Sequence, residues 1–461
     1  METFDYSPPA HPAGPLPWRA PRARGRLDAR IRLPGSKSLS NRQLVLSALA
    51  EEPSLLRAPL HARDSELMRS GLERLGVRIE TVPGDGPHGD DLRVAPPAEL
   101  RGGGEIDCGL AGTVMRFLPP LAALAVGEVR FDGDEAARLR PMEAMIRALR
   151  ELGAPVRELG RPGRLPFVLR GTARVRGGEL RIDASASSQF VSGLLLAAPR
   201  FERGLRLEHA GERPPSGPHI EMTLACLRER GVEAAALDER SWRVEPGAIR
   251  GGTVDIEPDL SNAAPFLAAA VVAGGAVTIP EWPERSTQLG GRLTEILAGF
   301  GARLRPGPDG LDCIVQRGVL QGAVPEGVEL ELSDAGELTP AVAALAALCR
   351  GTSVLSGIGH LRGHETDRLR ALATELRGVG ARVEELEDGL RITSAGPGSL
   401  HGAAWSAYGD HRMATCGAIV GLAVDGVEID DIGATAKTMP QFPGLWRELL
   451  SQRAALPGAG A

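Results

Sequence analysis

At 461 residues the chain is too long for one ordinary core, so two or three domains are expected. Apolar residues make up 43% and charged residues 24%, a globular balance, and the net charge of −6 argues against a general binder of nucleic acid or membrane surface, which needs a basic excess. Any anion site must therefore come from local clusters, and the five scattered cysteines, without a C-x-x-C pair, read as reduced thiols that give no zinc signature.

The first 26 residues are rich in proline, lack an apolar signal core and carry early acids, so a disordered tail is expected there rather than a leader. No apolar run reaches about 18 residues, so no membrane span is read and the cytoplasm is the default.

From Gly35 one pattern recurs six times: a polar stretch with glycine or serine, then an apolar helix of small residues. The copies are "GSKSLSNRQLVLSALA" from Gly35, "CGLAGTVMRFLPPLAALA" from Cys108, "SASSQFVSGLLLAAP" from Ser185, "PDLSNAAPFLAAAVVAGG" from Pro258, "DAGELTPAVAALAALCRG" from Asp334 and "YGDHRMATCGAIVGLAVDG" from Tyr408. Between copies stand amphipathic helices ending in glycine, such as "PMEAMIRALRELG" and "RLRALATELRGVG", and strand-like runs such as "ARLRPG" and "ARVEEL". The offset of roughly 75 residues suits a small αβ subdomain rather than a solenoid repeat. Six βαβαββ-like units result, three and three, with the division near Val254–Asp259, where the fourth unit is expected to begin.

Each repeated helix opens with unpaired N–H groups and the positive end of its dipole, so several such ends facing one cleft would hold anions. The polar residues there also serve as ordinary caps, with Ser40 or Asn41 expected to serve the first helix while Lys37, Ser38 and Arg42 face a ligand. Further cations are Arg116, Arg138 and Arg140, then Arg368, Arg412 and Lys437. Ser185, Ser187, Ser188 and Gln189 offer neutral donors, and Asp334 and Glu337 are acids at the fifth helix. So many cations beside helix starts in an acidic chain imply a substrate with several negative charges. A Walker A phosphate loop is absent, and His360 and His364 lack a third partner and the H-E-x-x-H spacing, so no metal site is read.

Together "LPGSKSLSNR", "LAGTVMR", Arg140–Pro141, "SASSQF", "GHETDR", "YGDHRMA" and "ATAKTMPQFP" resemble the 5-enolpyruvylshikimate-3-phosphate (EPSP) synthase family, from about Arg32 to Leu450. The resemblance implies an α/β fold of two similar domains, each an inside-out α/β barrel of three βαβαββ units, joined by a two-stranded hinge and closing on substrate. The expected boundaries are 1–26 and 454–461 for the tails, 36–257 for the first domain, and 27–35 with 258–453 for the second. The implied activity moves the enolpyruvyl group of phosphoenolpyruvate to the 5-hydroxyl of shikimate 3-phosphate, without cofactor, membrane or nucleic acid, in a monomer. Carried over by motif, Lys37, Ser38, Arg42, Ser187, Ser188, Gln189, Ser216, Glu337, His360 and His364 would meet shikimate 3-phosphate. Lys37, Gly112, Arg140, Gln189, Arg368, Arg412 and Lys437 would meet phosphoenolpyruvate. The family's base maps best to Glu337, with Asp334 second, and Glu365 or Lys37 would serve the methylene carbon. Many relatives carry lysine at His364, asparagine at His360 and tyrosine at His219, so more sensitivity to pH near neutrality is expected here.

Three rivals weigh less. The transferase acting on UDP-N-acetylglucosamine carries a reactive cysteine before the Arg-Pro pair, and Gly133–Pro141 contains none. RNA 3′-phosphate cyclase is disfavoured by the lack of basic excess. A non-catalytic paralogue would have no need of the acids Glu337 and Glu365. Gly112, which in the family goes with sensitivity to glyphosate, predicts an inhibitable enzyme.

Overall fold

In the computed structural model residues 16–211 and 216–454 are described. Twelve α-helices are found among them: α1 (Lys37–Ala48), α2 (Arg63–Arg74), α3 (Gly112–Ala123), α4 (Glu143–Glu151), α5 (Gln189–Ala197), α6 (Gly217–Glu229), α7 (Ala264–Ala273), α8 (Gly290–Gly299), α9 (Thr339–Leu348), α10 (Arg368–Gly378), α11 (His411–Ala423) and α12 (Phe442–Ser451). The six repeated polar-then-apolar stretches are α1, α3, α5, α7, α9 and α11. Helices that are apolar all round belong inside, and every residue of α3 and α7 is buried. Helices α4, α8 and α10 have one apolar face only and lie outside these, against the sheets.

Five four-stranded sheets share one topology, strand–helix–strand–helix–strand–strand, with the first two strands parallel and the last two antiparallel. The second unit shows it plainly: Gly104–Asp107 pairs in parallel with Val126–Asp132, which pairs antiparallel with Phe167–Thr172, itself flanked by Val156–Glu158. Alternating burial along strands such as Leu27–Arg30 and Leu205–His209 turns one face of each sheet to the helices and the other to solvent.

Two units exchange a strand. Gly252–Asp255 completes the first sheet by pairing with Ser54–Arg57, so the Val254 stretch closes the first unit instead of opening the fourth. Leu27–Arg30, before the first repeat, pairs with Gly275–Ile279 and supplies the fourth unit's missing strand. Two hydrophobic cores result, one from Leu39 to Ile256 and one from Ala20 to Leu33 together with Ala263 to Leu449. The chain passes between them twice, and the two passages run side by side. Ser36 N donates to Glu257 O at 2.8 Å and Asp259 N to Pro34 O at 2.9 Å. Gly35 sits at the crossing, where an added Cβ would lie 2.2 Å from the carbonyl oxygen of Ala58.

The sixth unit departs from the repeat. Ala404–Trp405 and Glu428–Ile429 form its parallel pair, and the antiparallel neighbour is Trp18–Arg19, borrowed from the start of the chain. The expected tail of 1–26 is thus corrected from Trp18 onward, because Ala20 and Ala23 are buried in the second core and hold that segment down. The rest of that expectation, 1–15, and the C-terminal tail from 455 lie outside the described residues.

Candidate active site

Ser36, not Ser40 or Asn41, caps α1, accepting from Leu39 N at 3.4 Å. Ser40 instead accepts from Leu60 N, and Asn41 donates to Thr113 Oγ1 at 2.7 Å, tying α1 to α3. With the cap one residue before the helix, Lys37 and Ser38 form the first turn and face a pair of adjoining cavities. Both cavities lie between the two cores. The first is lined by Lys37, Gly112, Arg116, Arg140, Glu365 and Arg368 among others, the second by Ser38, Arg42, Ser187, Ser188, Ser216 and His360 among others. Gln189, Glu337 and His364 line both. Five of the six repeated helix starts reach these walls, and α7 joins through Ser261, whose hydroxyl lies 3.1 Å from Arg412 Nη2.

The second half of the site is an ion network. Arg368 donates through Nε to Asp410 Oδ2 at 2.7 Å, through Nη2 to Glu365 Oε2 at 2.8 Å, and through Nη1 to His364 Nδ1 at 3.2 Å. Asp410 also caps α11, accepting from Arg412 N. Glu365 pairs on its other oxygen with Lys437. Arg412 donates to the Glu337 carboxylate at 2.9 Å and to the Glu337 carbonyl at 2.8 Å. On the opposite wall Lys37 Nζ lies 3.5 Å from the buried Asp64. Seven cations (Lys37, Arg42, Arg116, Arg140, Arg368, Arg412, Lys437) thus stand against four carboxylates (Asp64, Glu337, Glu365, Asp410), a surplus of three.

Electrostatics follow from burial. Desolvation lowers Arg42 to about 10 and pushes Arg140 and Lys437 below their ordinary values, with too few anions nearby to compensate. An incoming anion would restore what burial removes. For Glu337 burial favours the neutral acid, but the cations Arg412, Lys37 and Arg368 outweigh it and hold the carboxyl well below the usual range. Glu365 is held down likewise by Lys437, Arg368 and Arg140 against the opposing effect of burial. Both are ionised, as bases must be. Burial and neighbouring cations push His364 and His411 far below 6.5, so their rings are neutral.

Most of the sequence-derived residues meet here, with three qualifications. Asp334 does not: its side chain is about half exposed (47%), lies 3.5 Å from Arg292, and lines an outer hollow with Glu331 and Asp388 that meets the second cavity at Ser216 and His360. The turn Gly336–Leu338 between it and α9 aims Glu337 inward and leaves Asp334 outside. Arg138 is drawn away to Asp132. Arg42 is at the wall, yet it donates to Thr223 Oγ1, Ser38 O and His219 O, at 2.8, 2.9 and 2.9 Å. Asp64 was missed, since in "HARDSELMRS" it reads as an ordinary acid in a first helical turn. Asp410 and His411 stood in a quoted motif without a role. Among the described residues no group of three or more His, Cys, Asp or Glu side chains could hold a metal ion.

The family model for EPSP synthase (3-phosphoshikimate 1-carboxyvinyltransferase) matches residues 21–446. The chain belongs to the EPSP synthase family. A curated 3-phosphoshikimate 1-carboxyvinyltransferase of Kocuria rhizophila is 54% identical over 441 residues, 94% of this chain and 96% of that protein. Among solved structures, an EPSP synthase from Acinetobacter baumannii superposes with a TM-score of 0.73 at 25% identity, covering 94% of this chain and 97% of the other. The enolpyruvyl transferase NikO from Streptomyces tendae shares the fold, with a TM-score of 0.71 at 18% identity over 93% of this chain and 96% of its own. No helix among the described residues is long and apolar enough to cross a membrane.

Proposed function

We infer that the chain transfers the 1-carboxyvinyl group of phosphoenolpyruvate to the 5-hydroxyl of shikimate 3-phosphate and releases phosphate, a step toward chorismate and the aromatic amino acids. The observation that carries the chemistry is the surplus of buried cations around two ionised carboxylates, Glu337 and Glu365, set in adjoining cavities. Each substrate brings a carboxylate and a phosphate, anions of the sign which that surplus favours. Phosphoenolpyruvate takes the cavity of Lys37, Gly112, Arg140, Gln189, Arg368 and Arg412, backed by Lys437. Shikimate 3-phosphate takes that of Lys37, Ser38, Arg42, Ser187, Ser188, Gln189, Ser216, His360 and His364. The halves described above, 36–257 and 27–35 with 258–453, serve as domains that close over both, in a cytoplasmic monomer.

The reaction proceeds by addition and elimination. The 5-oxygen attacks C2 of phosphoenolpyruvate as Glu337 takes its proton, and C3 takes a proton from the ammonium of Lys37, or from Glu365 once that carboxylate has itself taken up a proton from its partner Lys437. The tetrahedral adduct then loses phosphate as the C3 proton returns to its donor, restoring the double bond on the product. Fixed cations stabilise the charge, and holding both anions in one closed cleft supplies the orientation.

Purified protein mixed with both substrates is expected to release inorganic phosphate, while either substrate alone gives none. Absence of release from the mixture would leave only the reading of a non-catalytic anion binder. Gly112 gives a second test. A Cβ there would lie 2.7 Å from Gln189 Oε1 and 3.1 Å from Arg140 Nη2, two flexible ends that can yield only by moving into the cavity. Gly112→Ala should therefore fold normally. Its KM for phosphoenolpyruvate is expected to rise about tenfold or more, as one misplaced methyl does in a binding pocket. Inhibition by glyphosate should weaken, and an unchanged inhibition constant would count against this placement.

A further inference from the structure

Two contacts join the start of α6 to the turn that carries Glu337. Ser216, in the left-handed region at φ 55°, donates its N–H to Ser333 O at 3.4 Å. One turn on, His219 Nε2 lies 3.8 Å from Glu337 Oε1. The two residues belong to opposite halves of the chain, so the approach bridges the cleft. The mount of His219 is unusually firm. Its carbonyl accepts from Arg42 Nη2 at 2.9 Å, from Thr223 Oγ1 at 3.0 Å and from Ser192 Oγ at 3.4 Å, which bind it to α1, α5 and its own helix. These bonds fix the backbone from which the ring reaches the carboxylate. Arg412 grips the other oxygen, Oε2, from the second half, so the two sides of Glu337 are fixed by two different halves of the molecule.

We propose that His219 is a positioning residue for the transfer: from the first half it fixes the carboxylate of Glu337 in the second, so that the base is aimed at the attacking hydroxyl only when the halves meet. This rests on Glu337 being that base. The groups facing the ring are Glu337 before α9, Lys37 and Arg42 on α1, Arg412 on α11, and His360 and His364 across the shared cavity. Burial, opposed by Glu337 and aided by Arg42, Arg412 and Lys37, keeps the ring neutral to below its ordinary 6.5. At 3.8 Å the neutral ring stands against Glu337 Oε1 and bounds its position without neutralising it. Once charged, it becomes a second cation on the carboxylate and weakens its claim on the hydroxyl proton. Turnover therefore falls as acidity charges His219.

The test compares His219→Ala and His219→Gln by kcat, KM for each substrate, and the pH profile of kcat between 5 and 8. For Ala, kcat should drop by roughly 10- to 100-fold, the scale of a base displaced by about an ångström, with KM for shikimate 3-phosphate little changed. Gln fills a similar reach beside Glu337, so it should recover most of kcat, and its acid limb should move to lower pH because an amide does not titrate. A fall in affinity alone, a Gln variant as slow as Ala, or an acid limb unmoved in Gln overturns the proposal. Equal thermal midpoints of the variants exclude misfolding as the cause. Glu337→Gln, run alongside, separates the two readings: if it keeps turnover the base assignment fails, and if it is inactive while His219→Ala is normal only the role of His219 fails.

Discussion

Glu337→Gln is expected to lower kcat by about 10²–10⁴-fold, the contribution of a positioned proton acceptor, while shikimate 3-phosphate still binds. The amide keeps the shape of the acid and can accept from Arg412, so the 2.9 Å contact survives in kind. What it loses is the ability to take a proton. The wild-type carboxyl, held far below the usual range chiefly by Arg412 against burial, is ionised at every physiological pH yet a weak base while Arg412 grips it. In the binding mode proposed above, Arg412 also meets an anionic group of phosphoenolpyruvate. As that anion draws off part of the guanidinium's attraction, the basicity of Glu337 is expected to rise when both substrates are present. Phosphate release under saturating substrates measures kcat, and calorimetric titration with shikimate 3-phosphate measures binding. A variant within tenfold of wild type would remove Glu337 from the role of base. Asp334 is no replacement, since it faces the outer hollow and Arg292.

What could be read in advance follows from what repeats. The six polar helix mouths were legible because helices apolar all round, such as "APFLAAAVVA", can only be interior, and their polar starts must then open on a shared space. Periodicity also located the outer helices. It could not show that Gly252–Asp255 completes the first sheet or that Leu27–Arg30 serves the fourth, because strand exchange leaves each local pattern unchanged. Trp18–Arg19 was hidden for a related reason: two residues in a proline-rich stretch carry no alternation, and only the incomplete sheet beside Glu428–Ile429 gives them a place. In the site, cations and the acid next to a helix start were recognisable by type. Asp64 was not, because a buried acid opposite Lys37 and an exposed acid in a first helical turn look alike in sequence. In sequence Glu337 is preferred to Asp334 for its place at the helix start, and the turn Gly336–Leu338 puts Glu337 at the cavities and leaves Asp334 on the outer hollow.

The second large effect is expected at Arg368, where Arg368→Lys should raise KM for phosphoenolpyruvate by at least about 100-fold. Burial opposes the charge of this guanidinium, but Asp410 and Glu365 outweigh burial and raise its pKa above the ordinary value. Its fork meets Asp410 at 2.7 and 3.2 Å and Glu365 at 2.8 Å while touching His364 at 3.2 Å. A lysine keeps one positive charge but has no planar fork, so at least two of these bonds are lost, each to a charged group and each worth about 1.5–3 kcal/mol. Asp410 would then pull on the N-terminus of α11 alone, and Glu365 would lean further toward Lys437. Of the cations proposed for phosphoenolpyruvate, Lys437 pairs with Glu365, and Asp410 holds the backbone N–H of Arg412. Arg368→Ala goes further: it leaves the buried Asp410 without its principal counter-charge, a change that costs about 3–5 kcal/mol in buried pairs. It should show as a lowered thermal midpoint before any assay is run. If Arg368→Lys bound phosphoenolpyruvate as tightly as wild type, the network would be structural only. A loss of affinity in the lysine form beyond what its fall in thermal midpoint accounts for, and a lowered midpoint in the alanine form, is the pattern that a substrate-holding ion network demands.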